Sequence, residues 1–140
     1  VLEPGDLIVF YPQMAHAIYS AGQLPIRYYV LKFDPVHLNI SGSALPPISS
    51  LITMAAVEQK LSVYFSKEKF NQEKMKQLIQ GSVKTLEEKQ FGYDIIMHSN
   101  YCLLMAEILR VWKQEGFQIK KRKKETVLSE KFTEVSEYIS

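Results

Sequence analysis

The sequence predicts an α+β fold: a small antiparallel β-sheet or barrel in residues 1–40, followed by two long helices. Two patterns carry that expectation. Residues 1–40 hold short β-branched and aromatic runs cut by turn residues. Residues 71–116 hold apolar side chains at spacings of three and four, with capping residues at the ends. Size and composition agree: 140 residues, 46% apolar and 23% charged, describe about one ordinary globular domain. They exclude a disordered tail, a collagen-like repeat and a disulfide-stapled miniprotein.

Pro4-Gly5-Asp6 is a turn signal, and Leu7-Ile8-Val9-Phe10-Tyr11 is a run of strand length stopped by Pro12. Ala17-Ile18-Tyr19 is a shorter run ending at Ser20-Ala21-Gly22. Arg27 to Phe33 is the strongest strand candidate, because Tyr29, Leu31 and Phe33 alternate with Tyr28, Val30 and Lys32. Residues 41–70 are open to two readings. Pro46-Pro47 suits a helix start with Ile48, Leu51, Ile52 and Ala55 on one face, and Leu61, Val63 and Phe65 alternate as in a strand.

Asn71 is a candidate N-cap with Glu73 in the first turn, and Met75, Leu78, Ile79, Val83 and Leu86 then follow helical spacing. Lys84 and Glu88 form an i,i+4 pair, Gly81 interrupts the pattern, and Gly92 suits a C-cap. A longer helix runs from about Tyr93 to Glu115. One stripe is Tyr93, Met97, Tyr101, Leu104, Ile108 and Val111, and an adjacent one is Cys102, Met105, Leu109 and Trp112. So wide an apolar arc should pack on two surfaces, its own domain and a partner chain. The expectation is a two-fold homodimer with these helices antiparallel at its centre and Tyr101, Leu104, Met105, Ile108 and Val111 in the seam. From Leu128 a new helical pattern begins, with Phe132, Val135 and Ile139 at spacings of three and four.

Seventeen basic residues against fifteen acidic ones give a net charge of +2. Five of the seventeen lie in Lys120-Lys121-Arg122-Lys123-Lys124, so the other twelve leave the body at −3. A basic nucleic-acid-binding face over the whole body is therefore not supported. The run reads as a solvated linker, with phosphate contact in a larger complex as the alternative. The single cysteine, Cys102, has apolar neighbours and reads as a buried small hydrophobe. No apolar run approaches the ~20 residues that span a bilayer, and Val1 to Asp6 has no signal-peptide core. The chain opens almost in mid-strand and is expected to be a piece of a longer protein.

Common catalytic patterns are missing. His16, His37 and His98 have no second His or Cys at metal-ligand spacing, and no GxSxG, Walker loop or GxGxxG occurs. No cofactor or metal is expected. His16, at a strand start after a turn, is a candidate ligand-facing side chain or a turn residue bonded to backbone. Tyr11, Tyr28 and Tyr29 supply aromatic surface, which small-molecule pockets use beside a few polar groups.

The stretch Leu2-x-Pro4-Gly5-Asp6-Leu7-Ile8-Val9-Phe10-Tyr11-Pro12-x-x-x-His16 resembles the second half of a small cupin barrel. In particular it is similar to the sensor domain of AraC-type (AraC/XylS) transcriptional regulators. Tyr29-x-Leu31-x-Phe33-x-Pro35-x-x-Leu38 resembles the last barrel strand and its exit. Glu87 to Tyr93, followed by Leu103-Leu104 and Ile108-Leu109-Arg110, resembles the two helices through which that family dimerises. Phe132, Val135, Tyr138 and Ile139 resemble the opening helix of its helix-turn-helix domain.

The resemblance implies the C-terminal part of a cupin-like antiparallel barrel followed by two long helices. Residues 1–40 would be a partial sensor barrel, 41–70 a connecting segment, 71–116 dimerisation helices, 117–126 a basic linker, and 127–140 the first helix of a truncated helix-turn-helix domain. The function implied is effector sensing and dimerisation in a cytoplasmic DNA-binding regulator, not an enzyme. The small-molecule effector would be bound by His16, Tyr11, Tyr28 and Tyr29, with sugars one candidate class. DNA would be met only through the truncated domain, and no membrane partner is implied. Two alternatives stay open. One is a fragment of a metal-dependent cupin enzyme, for which His16 is the one visible ligand. The other is a helical interaction module without effector.

Overall fold

Glu3 to Asp6 form a β-turn, closed by the Asp6 N–H donating to the Glu3 carbonyl at 3.0 Å. Gly5 sits in it at φ +94°, the left-handed value that a turn with Pro ahead of Gly requires. A Cβ at Gly5 would also run into the Gln72 side chain, so glycine is needed there twice over. The structure is a computed structural model that describes residues 2–11, 28–38 and 46–119. It divides into two compact units, Val1–Phe33 with Ser62–Ile108, and Asp34–Leu61 with Leu109–Ser140. The fold among the described residues is mixed: helices with one two-stranded antiparallel sheet, compatible with α+β.

In the first unit the turn feeds β1 (Leu7–Ile8), which pairs antiparallel with β2 (Tyr64–Phe65) in the register Leu7 to Phe65 and Ile8 to Tyr64. The Val9 N–H adds one bond to the Val63 carbonyl at 2.9 Å. The strand expected over Leu7–Tyr11 is thus paired over fewer residues than its apolar run. Its partner is the segment whose alternation of Leu61, Val63 and Phe65 suggested a strand. Phe65 is buried, with its ring 5.7 Å from that of Phe70.

The strand expected over Arg27–Phe33 is a correction. Residues 28–33 carry no ladder, and Tyr28, Tyr29 and Val30 are 59%, 54% and 57% exposed in succession. Alternation makes a strand only where one face is buried and a neighbour takes the backbone bonds. Neither condition holds here among the described residues. What anchors this segment is side-chain contact: the Phe33 ring stacks on Tyr101 at 4.8 Å, and the Tyr101 hydroxyl donates to the Lys32 carbonyl at 3.3 Å.

In chain order α1 (Ile48–Thr53) belongs to the second unit, whereas α2 (Gln72–Glu88) and Tyr93–Ile108 of α3 (Tyr93–Gln114) belong to the first. Asn71 caps α2 as its sequence position suggests, its side chain accepting from the Lys74 N–H at 3.1 Å. The Lys84–Glu88 pair forms on the wet side at 3.9 Å. The helix ends at Lys89 in the left-handed conformation, not at Gly92. Gly92, also at positive φ, instead stands immediately before α3, where its carbonyl accepts from Ile95 and Ile96. The early residue Lys74 bonds the late Glu107 at 2.6 Å, and Ser82 accepts from Asn100 at 3.0 Å. Contacts that run in opposite senses along the two helices make α2 and α3 antiparallel.

In the second unit a 3-10 turn, Pro35–Leu38, precedes α1, and the two lie against each other. Pro47 leads into α1, and Leu51, Ile52 and Ala55 are buried, as the helical reading of that segment requires. The helix widens into a π turn at Met54–Glu58, closed by the Gln59 N–H on the Met54 carbonyl at 2.8 Å. After α3 the Gly116 N–H donates to the Lys113 carbonyl and the Phe117 N–H to the Trp112 carbonyl, with Gly116 at φ +104°. That is a Schellman cap, completed by apolar contact between Trp112 and Phe117, whose rings stand 6.4 Å apart.

The dimer seam was expected on α3. Leu104, Met105, Ile108 and Val111 are all buried within the single chain, and Tyr101 is half-buried against Phe33. Cys102, expected to be buried, is half-buried.

Candidate functional site

The sheet end of the first unit is built around Asp6. Its Oδ2 accepts from the Glu3 N–H at 2.8 Å and from the Tyr64 hydroxyl at 2.7 Å, while Oδ1 accepts from the Lys67 N–H at 2.8 Å. Lys67 Nζ returns to the Glu3 carboxylate at 3.1 Å. The Pro-Gly turn delivers Asp6 to this position, and β1–β2 pairing brings Tyr64 and Lys67 to it. Hydrogen bonds from the Glu3 backbone and the Tyr64 hydroxyl hold the Asp6 carboxyl below its ordinary value. The same bond, seen from the phenol, raises Tyr64, and the Glu3 carboxylate raises Lys67. Both carboxylate oxygens of Asp6 are engaged, and the cluster is a staple between the turn and the segment after β2. Tyr64 and Lys67 were not legible as its members: they lie 58 and 61 residues from Asp6, and no local pattern marks them.

Three of the four residues expected to bind an effector, Tyr11, Tyr28 and Tyr29, are among the described residues. Tyr11 is half-buried at the end of the described β1 segment, whereas Tyr28 and Tyr29 present exposed rings. His16 lies outside the described residues, as do the Ala17–Tyr19 run, Arg27, the Lys120–Lys124 run and the last helical pattern. His37 is exposed, 3.8 Å from the Asp34 carboxylate, and His98 is exposed on α3. Burial raises the Tyr101 hydroxyl above its usual range. Among the described residues no three His, Cys, Asp or Glu side chains gather to hold a metal ion, and no helix is long and apolar enough to cross a membrane.

The second unit carries a half-open cleft of about 430 Å³ lined by Met54, Glu58, Gln59, Leu61, Gly116 and Gln118. Within it the Gln59 side-chain amide donates to the Gln118 carbonyl at 2.7 Å and accepts from the Gln118 N–H at 3.0 Å. Sequence reasoning missed Gln59, because a lone glutamine after an apolar stretch carries no signal of its own.

Comparison with known proteins adds one match. Residues 1–100 match the family described as the AraC-like ligand binding domain. No curated protein and no solved structure matches the chain. The matched residues take in the Asp6 staple, the tyrosines of the first forty residues, α2 and the start of α3. With 100 of its 140 residues matched, the chain belongs to the AraC-like ligand binding domain family, the effector-sensing region of AraC-type transcription regulators.

Proposed function

We propose that this chain senses a small-molecule effector and dimerises, as part of a cytoplasmic AraC-like regulator that reads DNA through a separate helix-turn-helix domain. The observation that carries the proposal is the family match over residues 1–100. The exposed rings of Tyr28 and Tyr29 support it, since stacking surface left open to solvent suits a ligand with apolar faces and polar edges. Sugars have that character, and Tyr11, Tyr28, Tyr29 and His16 are the side chains assigned to them. The mechanism is linkage: an effector that prefers one arrangement of two subunits shifts the population toward it, by no more than its difference in affinity for the two.

The stripe of Leu104, Met105, Ile108 and Val111 is buried in the single chain, and an exposed face suits a partner better. We assign the dimer face to the outward side of α3, where Ile95, Ile96 and Leu103 are 70%, 50% and 51% exposed and the exposed Phe91 stands just ahead of the helix. Thermal melting in a panel of aldopentoses, aldohexoses and disaccharides tests the effector assignment. A binder at a hundred times its Kd should add about 2.7 kcal/mol of stability. A panel that leaves the melting temperature unmoved at tens of millimolar contradicts the sugar assignment.

A further inference from the structure

Gln118 is held by a side chain that imitates a peptide group. Residues paired across an antiparallel ladder exchange one N–H and one C=O in each direction. The Gln59 amide makes the same two-way exchange with the Gln118 backbone, at 2.7 and 3.0 Å, across 59 residues of sequence. Both sides of this contact are fixed independently within the second unit. On one side, Gln59 closes the π turn on Met54, Lys60 turns the chain at φ +54°, and the Leu61 N–H returns to the buried Ala55 at 2.9 Å. On the other side, the Gly116 cap turns the chain out of α3 and Phe117 is buried. Gln118 therefore has both of its backbone polar groups bonded two residues before the run Lys120–Lys124 begins.

We propose that Gln59 is a clasp that sets the point and direction from which the chain leaves α3 toward the basic run. With the clasp closed, whatever follows departs from a fixed peptide, which restricts its reach and orientation. With it open, the fixed point retreats to the buried Phe117. Two neutral hydrogen bonds at a partly solvated site favour the closed form by roughly ten- to a hundredfold, so the clasp is a latch that opens without unfolding the unit. Gln59 is in this sense a positioning residue, and its action does not depend on the effector assigned above.

Amide hydrogen exchange of the 140-residue chain, read residue by residue, tests this. The Gln118 N–H should lose its protection in Gln59→Leu, exchanging ten- to a hundredfold faster than in wild type, while the buried amides of α1 stay protected and the melting temperature falls by no more than that same factor in the folding equilibrium accounts for. Gln59→Glu keeps an acceptor for the Gln118 N–H but loses the donor to its carbonyl, and should fall between the two. Exchange at Gln118 within twofold of wild type in Gln59→Leu overturns the proposal. So does a loss of protection in the buried α1 amides that exceeds the change at Gln118, which would make Gln59 a general stability contact. Should Gln59→Leu fail to fold, the wild type still decides. A nuclear Overhauser contact between the Gln59 side-chain amide and the Gln118 N–H is expected, and its absence overturns the clasp. No effector enters either measurement, so their outcome is separate from that of the sugar panel.

Discussion

At the residue scale, Asp6 couples a local turn to a distant segment, and its chemistry makes the coupling pH-dependent. Its folded pKa lies below 3.8, so it contributes stability above that value and loses the contribution as pH falls through the folded pKa. Tyr64 and Lys67 have the opposite sign: raised from 10.0 and 10.5, they contribute below those values and lose the contribution as pH climbs past them. The melting temperature of the wild type should therefore drop on acidification below about pH 4, and Asp6→Asn should flatten that drop while lowering the plateau at neutral pH. An unchanged acid limb in the variant would show that other carboxylates set it. Gly81 is the opposite kind of residue. It lies inside α2 with open space around the site of a Cβ, so Gly81→Ala should stabilise the protein by about 0.5–1 kcal/mol in denaturant titration. The turn at Pro4-Gly5-Asp6 was legible because its signal is local. The partners of Asp6 were not, because sheet pairing joins them across the chain.

At the element scale, helices were read more faithfully than strands. Asn71, the 3.6-residue spacing and the Lys84–Glu88 pair are all encoded within a turn or two of each other, and α2 forms over Gln72–Glu88 as they require. The Arg27–Phe33 segment shows the converse. Its period of two is present, but a strand also needs a neighbour and a buried face, which no single segment contains. The apolar arc of α3 was also visible, yet width alone states only that two surfaces cover the helix. Leu104, Ile108 and Val111 turn out to be covered by their own chain. Leu104→Glu should consequently unfold the protein, seen as loss of the cooperative melt, because a carboxylate would be buried without a partner. Were that variant to melt normally as a monomer, the stripe would belong to an interface after all. The Schellman cap at Gly116 was overlooked in the sequence, although glycine with an apolar residue behind it is its usual signature.

At the scale of the whole molecule, the α+β class and the family were both legible. Family membership came through the order of several weak motifs along the chain, each tied to a turn or a helix end. Whether the proposed residues Tyr11, Tyr28 and Tyr29 meet one ligand is a question of three-dimensional convergence, which spacing does not answer. For the dimer proposed through the exposed face of α3, Ile96→Glu with Leu103→Glu should leave the fold intact and shift the sedimentation coefficient from dimer to monomer, since both side chains are half-exposed in the single chain. The most direct test of the effector-sensing account is the amide proton–nitrogen NMR spectrum of the chain, titrated with each sugar of the panel. At least one should shift a saturable set of resonances that includes Tyr11, Tyr28 and Tyr29 and leaves the cleft at Glu58 and Gln118 unmoved. No saturable shift with any sugar, or shifts confined to that cleft, would contradict the assignment of a sugar effector to these tyrosines.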